Sequence, residues 1–320
     1  MTVSKNKLPA SSLAFFGKSV LLPYSGFMNH ENNSFSITGL PECSPAKCEN
    51  STKSDLNLAL PVYPDLSATA LPGKGRPKSQ KIKAIWIDVD QTLLDFDLCA
   101  KDALQAAFEA FSLPWKEEYF AIFLKENAKL WDQIEEGKMS RDTLRQVRFP
   151  IMFKRFGLPL AQPAAFESRF SQVLHSSAHP LNKAREGLKS FRQKQIPLFV
   201  ISNGPAAGQK NRLEKAGMLA DFIEVFTSQD FQCAKPDLQF FCQALEKTRQ
   251  VIGDPKLKPE QVLVIGDSWK ADICGALDFG SRCIWLRANR QHDPFEAPKD
   301  ERVVEVQDWQ QIIDWWNQQN

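Results

Sequence analysis

The stretch IWIDVDQTLLDFD, Ile85 to Asp97, opens as an apolar run suited to a buried strand and then sets Asp88 and Asp90 at alternate positions. Residues two apart on a strand share a face, so the two carboxylates stand side by side where their charges repel. Further along, VISNG ends in Ser202, Asn203 and Gly204, VIGDSWKAD carries Asp267 and Asp272, and Lys235 stands next to Pro236. Crowded carboxylates either take up protons or gather around a cation. All-oxygen ligands suit a hard ion, above all Mg²⁺, which also offsets the charge on phosphoryl oxygens in flight. In such chemistry Asp88 can attack phosphorus to give an aspartyl-phosphate, and Asp90 can protonate the leaving oxygen and later deprotonate water. The Ser202 hydroxyl and the amides of Asn203 and Gly204 can hold phosphoryl oxygens, and a helix opening just after Pro205 favours an anion there. Lys235 adds a fixed positive charge.

Short apolar runs position these residues. AIWIDV (84–89), PLFVISN (197–203), FIEVFT (222–227), QVLVIGD (261–267) and RCIWLRA (282–288) are rich in β-branched and aromatic residues and read as buried parallel strands. Helical patterns lie between the later ones, at 210–216, 238–248 and 271–279. Strand alternating with helix predicts an α/β fold, a doubly wound parallel sheet. The polar residues fall at strand ends, where open sheets of this kind bind ligands. Between the first two strands, residues 98–180 carry only helical signals, which predicts an all-helical cap domain inserted into a core of residues 81–97 and 181–320. Within the cap, Trp131 and Arg148 are candidates for stacking on a base and meeting a polar substrate group. Leu124, Ala128 and Trp131 share a helical face that reads first as core packing, and Arg148 reads equally well as a surface ion pair.

The chain has 320 residues, 43% hydrophobic and 24% charged, with a net charge of +2. That near balance points to no nucleic-acid partner. No apolar run approaches the roughly 20 residues of a membrane span, so the chain reads as soluble. Seven cysteines without a CxxC pair point away from a disulfide framework or structural zinc and toward the cytoplasm. His30, His175, His179 and His292 lack metal-ligand spacing. Residues 1–80, rich in Pro, Ser and Asn, read as a disordered extension. Its opening sets basic before apolar residues, but Gly17 and Lys18 split the apolar part, so it is not read as a targeting peptide; an internal start at Met28 or beyond is a further reading. GKGRPKSQK reads as a solvated charge run rather than a minor-groove hook. Asp95 and Asp97 read as turn or solvent residues.

DVDQTLLD, ISNG, the KP pair and GDSWKAD together resemble the four ordered motifs of the haloacid dehalogenase (HAD) superfamily. The resemblance runs from Lys83 to about Asn320. It implies a Rossmann-like core in which Asp88 is nucleophile and metal ligand and Asp90 is acid/base. It also implies Mg²⁺ bound by Asp88, Asp267 and the backbone carbonyl of Asp90, with Asp272 supporting the ion through water. The commonest first motif has Gly where Gln91 stands; a side chain there is similar to the house-cleaning pyrimidine 5′-nucleotidases. That branch also resembles this chain in TLLDFD, LWDQIEEGKMSRDTLRQVRF and ISNGPAAGQKNRLEKAG.

The resulting expectation is a Mg²⁺-dependent phosphomonoester hydrolase acting on a small phosphorylated metabolite, in particular a pyrimidine nucleoside 5′-monophosphate. The alternatives are a sugar phosphomutase or another small-metabolite phosphatase of the same fold. An acid at position 90 favours an alkoxide leaving group over a halide, which needs no proton. A non-catalytic scaffold would be signalled by loss of Asp88, Lys235 or Asp267, and all three are present.

Overall fold

The computed structural model describes residues 81–159, 161–288 and 298–319. The expected extension of residues 1–80, with most of GKGRPKSQK, lies outside them, as does His292.

The strands are β1 (Ala84–Ile87), β2 (Leu198–Ser202), β3 (Glu224–Thr227), β4 (Val262–Gly266), β5 (Arg282–Leu286) and β6 (Val303–Val306). They form one parallel sheet in the order β3-β2-β1-β4-β5-β6. The order reverses at β1, and the crevice beyond the strand ends there is where doubly wound sheets bind ligands. The helices are α1 (Phe96–Ala110), α2 (Glu117–Glu135), α3 (Arg141–Phe156), α4 (Pro163–Leu174), α5 (Ala184–Gln193), α6 (Ala206–Lys215), α7 (Ser228–Phe231), α8 (Leu238–Ile252), α9 (Gly275–Phe279) and α10 (Trp309–Gln318).

Alternate residues of each strand feed two separate cores. Ile85, Ile87, Val200 and Ile265 pack with Leu188, Phe191, Leu213, Trp309 and Ile312 on one face. Ala84, Trp86, Phe199 and Val264 pack with Phe240, Phe241, Ala244 and Ala276 on the other. Burial on both faces is why these strands read as continuous apolar runs.

α1 to α4 bury a third cluster of their own, dense in rings: Phe108, Phe123, Phe149, Phe153, Phe166 and Phe170. Its ring pairs meet edge to face and in offset stacks at centroid separations such as 4.6 Å for Phe149 and Phe166. α1 starts two residues before the expected boundary because the Asp95 carboxylate accepts the Leu98 amide and caps the helix. α3 continues through Pro150. β6 and the helices α5 and α10 add to the elements expected from sequence.

Candidate active site

β1 delivers Asp88 to the carboxyl edge of the sheet, where its amide donates to the Ile265 carbonyl of β4 at 2.9 Å. The chain then folds back over Val89, whose carbonyl accepts from Leu93 and Leu94. Gln91 sits in the left-handed region at φ 57°, the conformation for which Gly is the usual choice. β4 delivers Asp267, and a π-helical turn (Trp269–Cys274) brings Asp272 back beneath it. Gly266 is required by this return: a Cβ there would lie 2.3 Å from the Asp272 carboxyl carbon.

Lys235 is the hub of the site. Its Nζ, 2% exposed, donates to Asp88 Oδ1 at 2.7 Å, to Asp272 Oδ1 at 2.6 Å and to the Ile201 carbonyl at 3.1 Å. The side chain of Asn203 fixes the Lys235 backbone by accepting from its amide and donating to its carbonyl, both at 2.9 Å. Asp272 Oδ2 accepts the Ser268 amide at 3.1 Å. Burial acts to lower the Lys235 ammonium, but Asp272 and Asp88 hold it above its ordinary range. Burial pushes the Asp88 carboxyl well up; Lys235 opposes this, and Asp272, Asp267 and Asp90 add to it.

Carboxylate oxygens of Asp88, Asp267 and Asp272 lie within 4.8 Å of one another. When all three are ionised, three carboxylates against one buried ammonium leave two negative charges on hard oxygen donors, a set that fits a divalent hard cation. The Asp90 carboxylate stands apart from this cluster. Its Oδ1 accepts from Arg212 at 2.5 Å and its Oδ2 from Gln209 at 2.8 Å, both residues of α6. Both Asp90 carboxylate oxygens are thus engaged by α6, and the side chain is not part of the acid cluster.

The expected phosphate loop leads into α6, which opens at Ala206 with Pro205 at its cap. Ser202 Oγ accepts from the Gly204 amide and from Gln209 Nε2, both at 3.0 Å. With its acceptor positions used, the hydroxyl proton is the group left to donate. The Gly204 amide is thus committed to Ser202, contrary to its expected place on a phosphoryl oxygen.

Asp88, Asp90, Ser202, Asn203, Gly204, Lys235 and Asp267 line one cavity of about 610 Å³, bordered on its far side by α2 through Leu124, Asn127, Ala128, Trp131, Asp132 and Glu135, while Asp272, Gln209 and Arg212 lie behind its wall. The face shared by Leu124, Ala128 and Trp131 therefore borders the cavity; Leu124 also packs against the ring-rich cluster, whereas the core-packing expectation for Trp131 is corrected. Arg148 is corrected too: it is 5% exposed and donates twice to Glu167, with its guanidinium 4.7 Å from the Phe170 ring. It anchors α3 to α4 and is absent from the cavity lining. Cap and core meet where Arg141 donates to the Asn203 carbonyl at 3.2 Å and Lys270 to Glu136 at 3.1 Å.

Sequence reasoning passed over Gln209, Arg212, Asn127 and Glu135. Gln209 and Arg212 sit three apart in QKNRLEKAG, one helical face, beside Gly208 and Leu213. That spacing was the available signal.

The fold and site define a class. Residues 82–280 match the family model of the haloacid dehalogenase-like hydrolases, and the chain belongs to that family. Among its relatives, the HAD-hydrolase YfnB of Bacillus subtilis is 31% identical over 65% of this chain and 85% of its own length. A crystal structure of YfnB bound to magnesium superposes with a TM-score of 0.65 at 28% identity, covering 74% of this chain and all of that one. The pyrimidine 5′-nucleotidase PynA of Streptococcus pneumoniae is 30% identical over 72% of this chain and 95% of its own. YjjG of Escherichia coli, also a pyrimidine 5′-nucleotidase, is 27% identical over 72% and 96%.

Proposed function

We propose that this hydrolase is a Mg²⁺-dependent phosphatase of pyrimidine nucleoside 5′-monophosphates that works through an aspartyl-phosphate. The observation that carries the reading is the convergence of Asp88, Ser202, Lys235 and Asp267 on one cavity at the carboxyl edge of the sheet. Likeness to PynA and YjjG over nearly their whole lengths supports the nucleotide as substrate.

Lys235 holds Asp88 Oδ1 and leaves Oδ2 to attack phosphorus. The new Oδ2–P bond forms as the P–O bond to the nucleoside 5′ oxygen breaks, and Asp90 delivers a proton to that oxygen. Water then attacks the same phosphorus, Asp90 takes its proton, and Asp88 is released with inorganic phosphate. Ser202 donates to a phosphoryl oxygen, while Arg212 and Gln209 hold Asp90 in register. Asp88, Asp267 and Asp272, with the Asp90 carbonyl, are the residues that would hold Mg²⁺. When bound, the ion neutralises charge on the phosphoryl group.

Phosphate release across nucleoside monophosphates and sugar phosphates, with and without Mg²⁺, tests the reading. Asp88→Asn is expected to lower turnover at least ~10³-fold with the fold retained, since a nucleophile contributes several kcal/mol at the barrier. Turnover near wild type in that variant would sink the assignment. Conversion of a hexose 1-phosphate to its isomer, in place of free phosphate, would identify a mutase.

A further inference from the structure

We infer that Asn127 reads the ring of the substrate's leaving group. Its side-chain amide pairs with an adjacent N–H donor and carbonyl acceptor on the ring edge while Trp131 packs on the ring face. This rests on the nucleotidase reading above and deepens it by naming the residue that recognises the base.

α2 places Asn127 and Trp131 four residues apart, one above the other on a single face, and both line the cavity that holds Asp88 and Lys235. Asn127 is 4% exposed, and its Oδ1 finds no hydrogen-bond partner among the described residues. The residues one turn away from it on the helix are Phe123, Leu124, Leu130 and Trp131, an apolar setting that gives packing no use for an amide. A leucine would fill the same space without stranding a polar atom. The amide is therefore accounted for by a partner that enters the cavity. A half-turn of the amide exchanges Oδ1 and Nδ2, so one acceptor and two donors are on offer.

The rest of this wall narrows the partner. Asp132 adds a further carboxylate to it, while two lysines that line the cavity are committed elsewhere, Lys270 to Glu136 at 3.1 Å and Lys235 to Asp88 and Asp272. Such a wall favours a neutral, donor-bearing ring and opposes a leaving group that carries a carboxylate. A uracil edge presents N3–H between two carbonyls, which an amide meets with two hydrogen bonds, and Trp131 supplies a flat apolar surface.

The test measures kcat/KM with Mg²⁺ for uridine 5′-monophosphate, 3-methyluridine 5′-monophosphate and ribose 5-phosphate, using the wild type and Asn127→Leu. The methyl group removes the N–H and should cost the wild type about tenfold or more. Asn127→Leu should lose a similar factor on uridine 5′-monophosphate, lose nothing further on the methylated substrate, and leave ribose 5-phosphate unchanged. Its Tm should match or exceed the wild type's, because the stranded amide is gone. Equal losses on all three substrates, or a Tm lowered by several degrees, would make Asn127 structural and overturn the inference. Insensitivity of the wild type to the methyl group overturns it without any variant. If the wild type still prefers the nucleotide over ribose 5-phosphate in those cases, only the Asn127 assignment falls. If it shows no such preference, the nucleotidase reading falls as well.

Discussion

Arg212 is 3% exposed, and one of its terminal nitrogens reaches both Asp90 Oδ1 at 2.5 Å and Gln209 Oε1 at 3.2 Å. Gln209 in turn spans Asp90 Oδ2 and Ser202 Oγ. The proposed acid/base residue and Ser202 are thus fixed by two side chains of one helix face, and a Cβ at Gly204 would lie 2.2 Å from Gln209 Nε2, so a larger residue there would displace that link. If Arg212 acts by orienting Asp90, Arg212→Ala should lower kcat/KM on uridine 5′-monophosphate by about 10- to 100-fold. The loss should be much smaller on p-nitrophenyl phosphate, whose leaving group needs no proton. An equal loss on both substrates would assign Arg212 to folding alone. At this scale the sequence made the acids legible, because a carboxylate at the end of an apolar strand has few innocent explanations. It left Gln209, Arg212 and Asn127 illegible, because polar residues in a helical stretch usually mean a solvated face.

α2 has an unusual division of labour among the elements. Glu117 and Glu118 in its first turn suit the helix dipole, but its last turn carries Glu135 and no basic residue. The helix ends this way because that turn faces the cavity, where Glu135 looks toward the acid cluster. Burial first, then the negative charge of Asp272, raise the Glu135 carboxyl to about 7. A raised folded-state pKa means that the native state holds the proton more tightly than the unfolded chain. The associated stability is complete below the ordinary glutamate range and is lost as pH rises through about 7. In metal-free buffer, urea midpoints of the wild type should therefore fall between pH 5 and pH 8 by more than those of Glu135→Gln; parallel curves would refute this account of the turn. Element types were legible where burial imposed a pattern, as in the strands β1 to β5 and the ring-rich cap helices. β6 was not, because only its last residue is buried and its sequence, VVEV, carries neither a continuous apolar run nor clean alternation.

Over the whole molecule, the sheet order brings like charges together from residues 88, 267 and 272, and Lys235 offsets part of the cost by pairing with Asp88 and Asp272. Hydrophobic burial on both faces of the sheet and within the cap supports that cost. If the proposed Mg²⁺ binds at this centre, stability and metal affinity should oppose each other at one position. Asp267→Asn removes one of the three charges while keeping shape. In excess EDTA its Tm should equal or exceed that of the wild type, since repulsion is relieved. On adding Mg²⁺ the wild type should gain about 2.7 kcal/mol at a hundredfold excess over Kd, a rise of several degrees for a protein of this size. The variant should gain little, so the two melting curves cross as metal is added. Parallel responses to Mg²⁺ would mean that the ion binds elsewhere and that the three acids are held together for another reason.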